Sequence, residues 1–220
     1  AGGTPRIRVG QRLRRRAQPH VVLRHQPGHL RWGLLAVADA SSLEQALERA
    51  SRAGIPAQNF TCADSTGRIG WTIAGRLPRR VGFDGRRPES WADGTRRWEG
   101  WLGPGEVPRI LDPADAVLWT ANNRVVGGAS LAVLGDGGYD LGARAGQIRD
   151  RLRSLEVASE RDLLAVQLDD RARFLERWYR LALDTLSPAV CAAGPRRSEL
   201  RQVLEATWTG SASVESAAYR

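Results

Sequence analysis

Apolar residues recur along the chain at two different periods. In the middle, "QNFTCAD" and "RIGWTIAGRLP" place Phe60, Cys62, Ile69, Trp71 and Ile73 in alternation with polar or small residues. That is the signature of strands, and the intervening "DSTG" predicts a hairpin in which Gly67 supplies a positive φ. Upstream, Leu43, Ala46, Leu47 and Ala50 recur at helical spacing behind a capping box of Ser42 and Gln45, predicting a helix that ends near Gly54, ahead of Pro56. Downstream the helical period dominates. A helix is predicted over "LGARAGQIRDRLRSL", and a long one from a Ser159/Asp162 cap to near Leu186, with Leu164, Leu168, Leu175 and Trp178 along one face. Pro188 ends it, and a last helix, "RRSELRQVLEATW", precedes Gly210. Residues 1–40 read as extended, with the apolar runs "VVL" and "LRWGLLAV".

Two stretches resist this scheme. Residues 81–116 are rich in Gly, Pro and Trp with little periodicity, which predicts a long ordered loop fastened by Trp91, Trp98 and Trp101. After it, "AVLWTA" reads as a strand that stops at Asn122 and Asn123. Asparagine is a poor strand former, and a buried side-chain amide must find partners. The pair therefore marks either a turn or an amide aimed at something. Strands in the middle with helices afterwards give an α+β class, divided into a sheet-rich part over residues 1–150 and a helical part over 151–220.

A length of 220 residues suits one large domain or two small ones and allows a substantial core. No apolar run approaches a membrane span, and no signal-peptide pattern opens the chain. Methionine is absent, so the expectation is a piece of a longer polypeptide. Lysine is absent too: every basic side chain other than histidine is arginine, as GC-rich coding produces. That uniformity lowers the functional weight of the net charge of +9. The charge permits an alternative reading as a non-catalytic, arginine-rich module for nucleic acid or an acidic polymer. Its densest run, "RIRVGQRLRRR" over residues 6–16, holds no aromatic for base stacking and reads more simply as a solvated segment with Ile7, Val9 and Leu13 inward. Cys62 and Cys191 follow neither zinc nor redox spacing and read as small core residues. His20, His25 and His29 match no compact metal motif, and Pro19 and Pro27 oppose a helix there.

Spacing yields no catalytic triad, no G-x-S-x-G, no phosphate loop and no carboxylate pair of clear geometry. Five stretches taken together carry more. "AQNFTCADSTGRIGWTIAGRLPRR", "SWADGTRRWEGWLGPGEVPRILDPADAVLWTANNRV", "GYDLGARAGQIRDRL", "LLAVQLDDRARF" and "WTGSASVESAAYR", in this order and with these gaps, resemble the penicillin acylase (penicillin amidase) family of N-terminal-nucleophile hydrolases. The resemblance covers most of residues 20–220.

The resemblance implies two antiparallel sheets layered between helices, here incomplete. It implies a precursor that cuts itself into a small and a large subunit, with a nucleophile, generally serine, as the first residue of the large one. The α-amine of that residue is its base, a suitable one because it titrates near neutrality. Ala1 has no hydroxyl and "AGGTPRI" does not resemble such a start, so this chain is expected to be an internal part of the large subunit, inactive alone. Its expected partners are the upstream segment of the large subunit, the small subunit and a small-molecule amide. Self-association through uncovered apolar surface is a further expectation.

Within the family the first asparagine of the "ANN" element donates its amide to the oxyanion of the tetrahedral intermediate. That role falls on Asn122, and a donor of this kind is worth roughly 3 kcal/mol of barrier. Asn123 is expected to brace the turn. Arg144, in "GARAGQI", matches an arginine that orients the asparagine or nearby backbone. No cofactor is called for. Some members hold calcium through an aspartate whose position falls here on Ser130 or, shifted, on Asp136, and no calcium site is assigned. The family's mostly apolar acyl pocket is built largely upstream; Trp119 or Trp71 could reach it, with core packing the simpler use. By resemblance alone, the location is periplasmic or secreted.

Overall fold

The computed structural model describes residues 33–211. The basic run of residues 6–16, the three histidines and the end of "WTGSASVESAAYR" lie outside them. Five strands and seven helices occur among the described residues, the strands all between Gln58 and Leu111. The strands are β1 (Gln58–Ala63), β2 (Ile69–Ala74), β3 (Pro78–Val81), β4 (Arg97–Trp101) and β5 (Arg109–Leu111). The helices are α1 (Leu43–Ser51), α2 (Gly128–Leu134), α3 (Ala143–Arg153), α4 (Glu160–Gln167), α5 (Arg173–Thr185), α6 (Pro188–Ala192) and α7 (Pro195–Thr207).

The hairpin forms as the alternation predicts. β1 pairs antiparallel with β2, Thr61 opposite Trp71, through a turn in which Gly67 has φ 87° and the Asp64 carboxylate accepts from the Thr66 N–H at 2.9 Å. β5 pairs with the other edge of β2, making a three-stranded sheet in the order β1-β2-β5. Its central strand is buried on both faces. Trp71 and Thr72 are almost wholly inaccessible, and each polar atom is satisfied. The Trp71 indole N–H donates to Asn59 Oδ1 at 3.0 Å, and the Thr72 hydroxyl donates to the Pro108 carbonyl at 2.9 Å.

Helix α1 covers this sheet. Ser42 caps it by accepting from the Gln45 N–H, and the Gln45 side chain in turn accepts from the Ser41 N–H, one residue upstream of the reciprocal bond of a full capping box. Leu43, Ala46, Leu47 and Ala50 are buried against β2. The seat exists because position 70 has no side chain: a Cβ there would lie 3.0 Å from Leu47 Cδ1 and 3.2 Å from Leu43 Cδ1. Each leucine so buried contributes about 1.5–3 kcal/mol.

Three expectations are corrected. The stretch 81–116 is not merely a loop: β3 and β4 pair antiparallel as a second sheet, with Pro78 opposite Trp101. Phe83, Trp91 and Trp98 pack as a chain of tilted and edge-on rings, with centroids 5.2 and 5.5 Å apart. The pairing was invisible because the strands are short and set by a partner across a long connection. The long helix from Ser159 is two helices. Ser159 and Asp162 do form a capping box, but the chain leaves the helical path after Gln167. There Asp169 accepts from the Arg171 backbone and guanidinium, the Ala172 N–H donates to Gly210 at 2.7 Å, and Ser211 donates to Asp170 at 2.5 Å. Aspartate side chains that bond locally compete with the helix, and contact with the far end of the chain completes the break. Near the start, "LLAV" is not extended: Leu35–Val37 form a 3-10 turn that docks on α1 through Arg49, whose guanidinium donates to Ala36 at 2.6 Å.

The helical part is held by smaller contacts. α5 and α7 meet through a stacked Tyr179–Trp208 pair, centroids 4.4 Å apart. α5 has no buried residue, and Phe174, Trp178 and Leu181, spaced along one face, remain exposed, as do Leu200 and Val203 on α7.

The α1–sheet seat gives a direct test. Leu47→Ala is expected to lower unfolding free energy by about 2–5 kcal/mol and Gly70→Val by about 1–3 kcal/mol. Urea midpoints unchanged from the parent for both variants would contradict this packing.

Candidate functional site

The segment Val117–Thr120 runs toward the asparagines without joining a ladder among the described residues, so the strand expected there is not formed with any of them. At its end the backbone turns sharply. Asn122 has φ 61°, the left-handed region in which asparagine is one of the few tolerated side chains. Asn123 is buried and closes the bend: its Oδ1 accepts from the Ala121 N–H and its Nδ2 donates to the Arg124 carbonyl, both at 2.9 Å. The Asn122 carbonyl accepts from the Asp140 N–H at 2.8 Å, which ties the bend to the approach of α3.

The chain enters α3 through Gly142, φ 72°, and this places Arg144 in the first turn, facing the bend. Its Nη2 donates to Asn122 Oδ1 at 3.0 Å, to the Ala121 carbonyl at 3.2 Å and to Asp140 Oδ2 at 3.0 Å. Two protons serve three acceptors, so one bond is shared. The structure thus brings Asn122 and Arg144 into direct contact. The contact also fixes which way the amide faces: a guanidinium can only donate, so the atom against it is the oxygen and Nδ2 is turned away. A cation on the amide oxygen draws electron density from the nitrogen and makes its N–H a stronger donor. The arrangement is a carboxamide held at its oxygen end on the exposed side of the bend, able to donate to an acceptor that carries negative charge.

Asp140 was not singled out by sequence. Its spacing could have revealed it, since an acid four residues before an arginine is a recognised pairing pattern. Its carboxyl is held below the ordinary value by the Leu141 N–H first, and then by Arg144.

Asn123 and Asp140 line a cleft of about 600 Å³, together with Trp119, Val125, Tyr139, Leu141 and Arg149 among others. Asn122 is not among its lining residues. Trp119 forms a wall rather than core, with the Arg153 guanidinium 5.0 Å from its ring and in turn paired with Asp115. Trp71 is wholly core. Ser130 lies in α2, and the Asp136 carboxylate accepts from the Gly138 N–H just beyond it. Among the described residues no group of three or more histidines, cysteines or carboxylates is assembled. Cys62 and Cys191 are free thiols, on β1 and α6, and burial pushes the Cys62 thiol up.

Comparison with known proteins decides the family. The penicillin amidase family model matches residues 15–220. The chain belongs to the penicillin amidase family. Related family members include a penicillin acylase 2 proenzyme of Pseudomonas sp. (strain SE83), 32% identical over 93 residues, which are 42% of this chain and 12% of that protein. They also include acyl-homoserine lactone acylases QuiP, from Pseudomonas fluorescens (strain Pf0-1), 34% identical over 87 residues, 40% of this chain and 10% of that protein. The QuiP of Pseudomonas aeruginosa is 28% identical over 147 residues, 66% of this chain and 17% of that protein. The chain therefore spans less than a fifth of the length of these relatives. A thermostable penicillin G acylase from Alcaligenes faecalis shares the fold, with a TM-score of 0.56 at 24% identity, over 81% of this chain and 32% of that one. The fold is accordingly α+β, of the N-terminal-nucleophile hydrolase kind, and the family is one of amide hydrolases.

The pH dependence of the bend follows from Asp140. Its folded-state value is depressed below 3.8, so its stabilising charge is fully present above that pH and is lost as pH falls through the lowered value. A carboxylate NMR titration is expected to place Asp140 below 3.8, with the Arg144 guanidinium resonances shifting in the same range. A midpoint not lowered from the ordinary carboxylate range would mean that the Leu141 N–H and Arg144 do not hold the charged carboxylate.

Proposed function

We propose that this chain is part of an amidohydrolase that cleaves an N-acyl amide by acyl transfer to an N-terminal serine supplied from outside residues 1–220. In this reading Asn122 Nδ2 donates to the oxyanion of the tetrahedral intermediate, and Arg144 orients it. The observation that carries the reading is the bond from Arg144 to Asn122 Oδ1, which turns the amide N–H outward in a chain of this family. A preorganised donor lowers the barrier because it need not reorient as charge develops. The substrate class follows that of the relatives, a penicillin acylase and acyl-homoserine lactone acylases: an N-acyl amide of the penicillin or acyl-homoserine lactone type. The reading extends to an exported location and to an acyl pocket completed by other parts of the same polypeptide.

The bend offers its own control. Glycine adopts the left-handed conformation freely, so Asn122→Gly preserves the turn and removes only the amide. In the whole active protein this variant is expected to retain its melting temperature and lose about 10²–10³-fold in kcat on a chromogenic acyl-anilide, with little change in KM. Asn122→Ala should lose the same activity and also about 1–2 kcal/mol of stability, from strain at positive φ. Normal turnover by Asn122→Gly would leave position 122 as a turn residue and nothing more.

We further propose that the exposed face of α5, with Phe174, Trp178 and Leu181, is covered by other segments of the same precursor. Residues 1–220 expressed alone are then expected to self-associate as concentration rises, read by sedimentation velocity. A monomer with a single cooperative melt at high concentration would count against that cover.

A further inference from the structure

Arginine side chains are long and have many rotamers, so a guanidinium that must hold an amide oxygen needs support of its own. Asp140 supplies it from two directions. Its Oδ2 accepts from Arg144 Nη2 at 3.0 Å, the same nitrogen that donates to Asn122 Oδ1. Its backbone N–H donates to the Asn122 carbonyl at 2.8 Å, so one residue grips both the main chain of Asn122 and the group that holds its side chain. The carboxylate is itself fixed, since Oδ1 accepts from the Leu141 N–H at 2.8 Å. Both partners of the ion pair are more than half exposed, with side-chain accessibilities of 61% for Arg144 and 54% for Asp140. Exposed pairs of this kind contribute little to stability. What the pair does contribute is direction, because it selects the arginine rotamer that meets the amide.

We propose that Asp140 is a positioning residue for the Asn122 carboxamide, acting through Arg144. This rests on the reading of Asn122 as the oxyanion donor. Asp140→Asn keeps the side chain's size and the oxygen facing Leu141 but removes the charge that Arg144 requires. Asp140→Glu restores the charge at a slightly longer reach.

The test is a double-substitution cycle in the whole active protein, comparing Asp140→Asn, Asn122→Gly and the two together on the same acyl-anilide. Asp140→Asn is expected to lower kcat about tenfold, the scale set by losing one charge-assisted hydrogen bond, with KM and melting temperature little changed. Asp140→Glu is expected to recover part of that loss. In the Asn122→Gly background Asp140→Asn is expected to have no further effect, because the group it positions is gone. A merely structural role would lower the melting temperature and act equally in both backgrounds. Unchanged kcat in Asp140→Asn, or the same loss with and without Asn122, overturns the positioning role while leaving the oxyanion reading intact. Unchanged kcat in Asn122→Gly overturns that reading itself, and the positioning role with it.

Discussion

The bond from Arg144 to Asn122 Oδ1 is the interaction on which the geometry of the bend, and the chemistry proposed for it, depends. An asparagine amide has a donor end and an acceptor end of nearly equal size, and a solvent-facing one rotates between them. A guanidinium against one end removes the ambiguity, because it accepts nothing. The constraint needs three things in place: a backbone bend that presents the side chain, a helix start that aims the arginine, and a carboxylate that keeps it aimed. Asn123, Gly142 and Asp140 meet these needs by hydrogen bonding, by left-handed backbone and by charge.

The site is mounted on the better-packed half of the structure. β5, held by the buried central strand β2, leads through Asp112 into the segment carrying the bend, and the Arg68 guanidinium pairs with Asp112 and Glu44 at once, so sheet, helix α1 and this segment are joined by one cation. These charges are exposed and contribute modestly to stability; their effect is on alignment. Farther on, Arg80 donates to the carbonyls of Val133 and Leu134 and so closes the C-terminal end of α2. Gly85 and Gly135 make room for it, since a Cβ at either would fall within 2.8 Å of its guanidinium group. The helical part differs in kind: α5 is amphipathic yet carries no buried residue, so its apolar stripe has no cover among the described elements. A helix with such a stripe gains most of its stability from what it packs on.

Much of the fold was legible locally. Leu43, Ala46, Leu47 and Ala50 at helical spacing behind Ser42 determined α1, and "DSTG" between alternating runs determined the β1–β2 hairpin, because periodicity and caps act within a few residues of each other. The family was legible as well, since it resides in the order and spacing of several stretches rather than in any one contact. The β3–β4 sheet was not: Pro78 and Trp101 find each other across a segment with no period of its own. Nor was the break between α4 and α5, where the apolar spacing of Leu164, Leu168 and Leu175 continues straight through. Asp169 and Asp170 overrule it with bonds to Arg171 and to the distant Ser211.

At the site the division is sharper. The sequence by itself determined that an asparagine pair ends an apolar run and that an arginine follows in a later helix. Only the tertiary structure decided that Arg144 reaches the oxygen of Asn122, that Asn123 and not Asn122 is buried, and that Asp140 stands behind both. The reason is one of range. Spacing encodes which face of an element a residue occupies, but the direction of a side-chain hydrogen bond is set where two elements meet, and no pattern within either one records it.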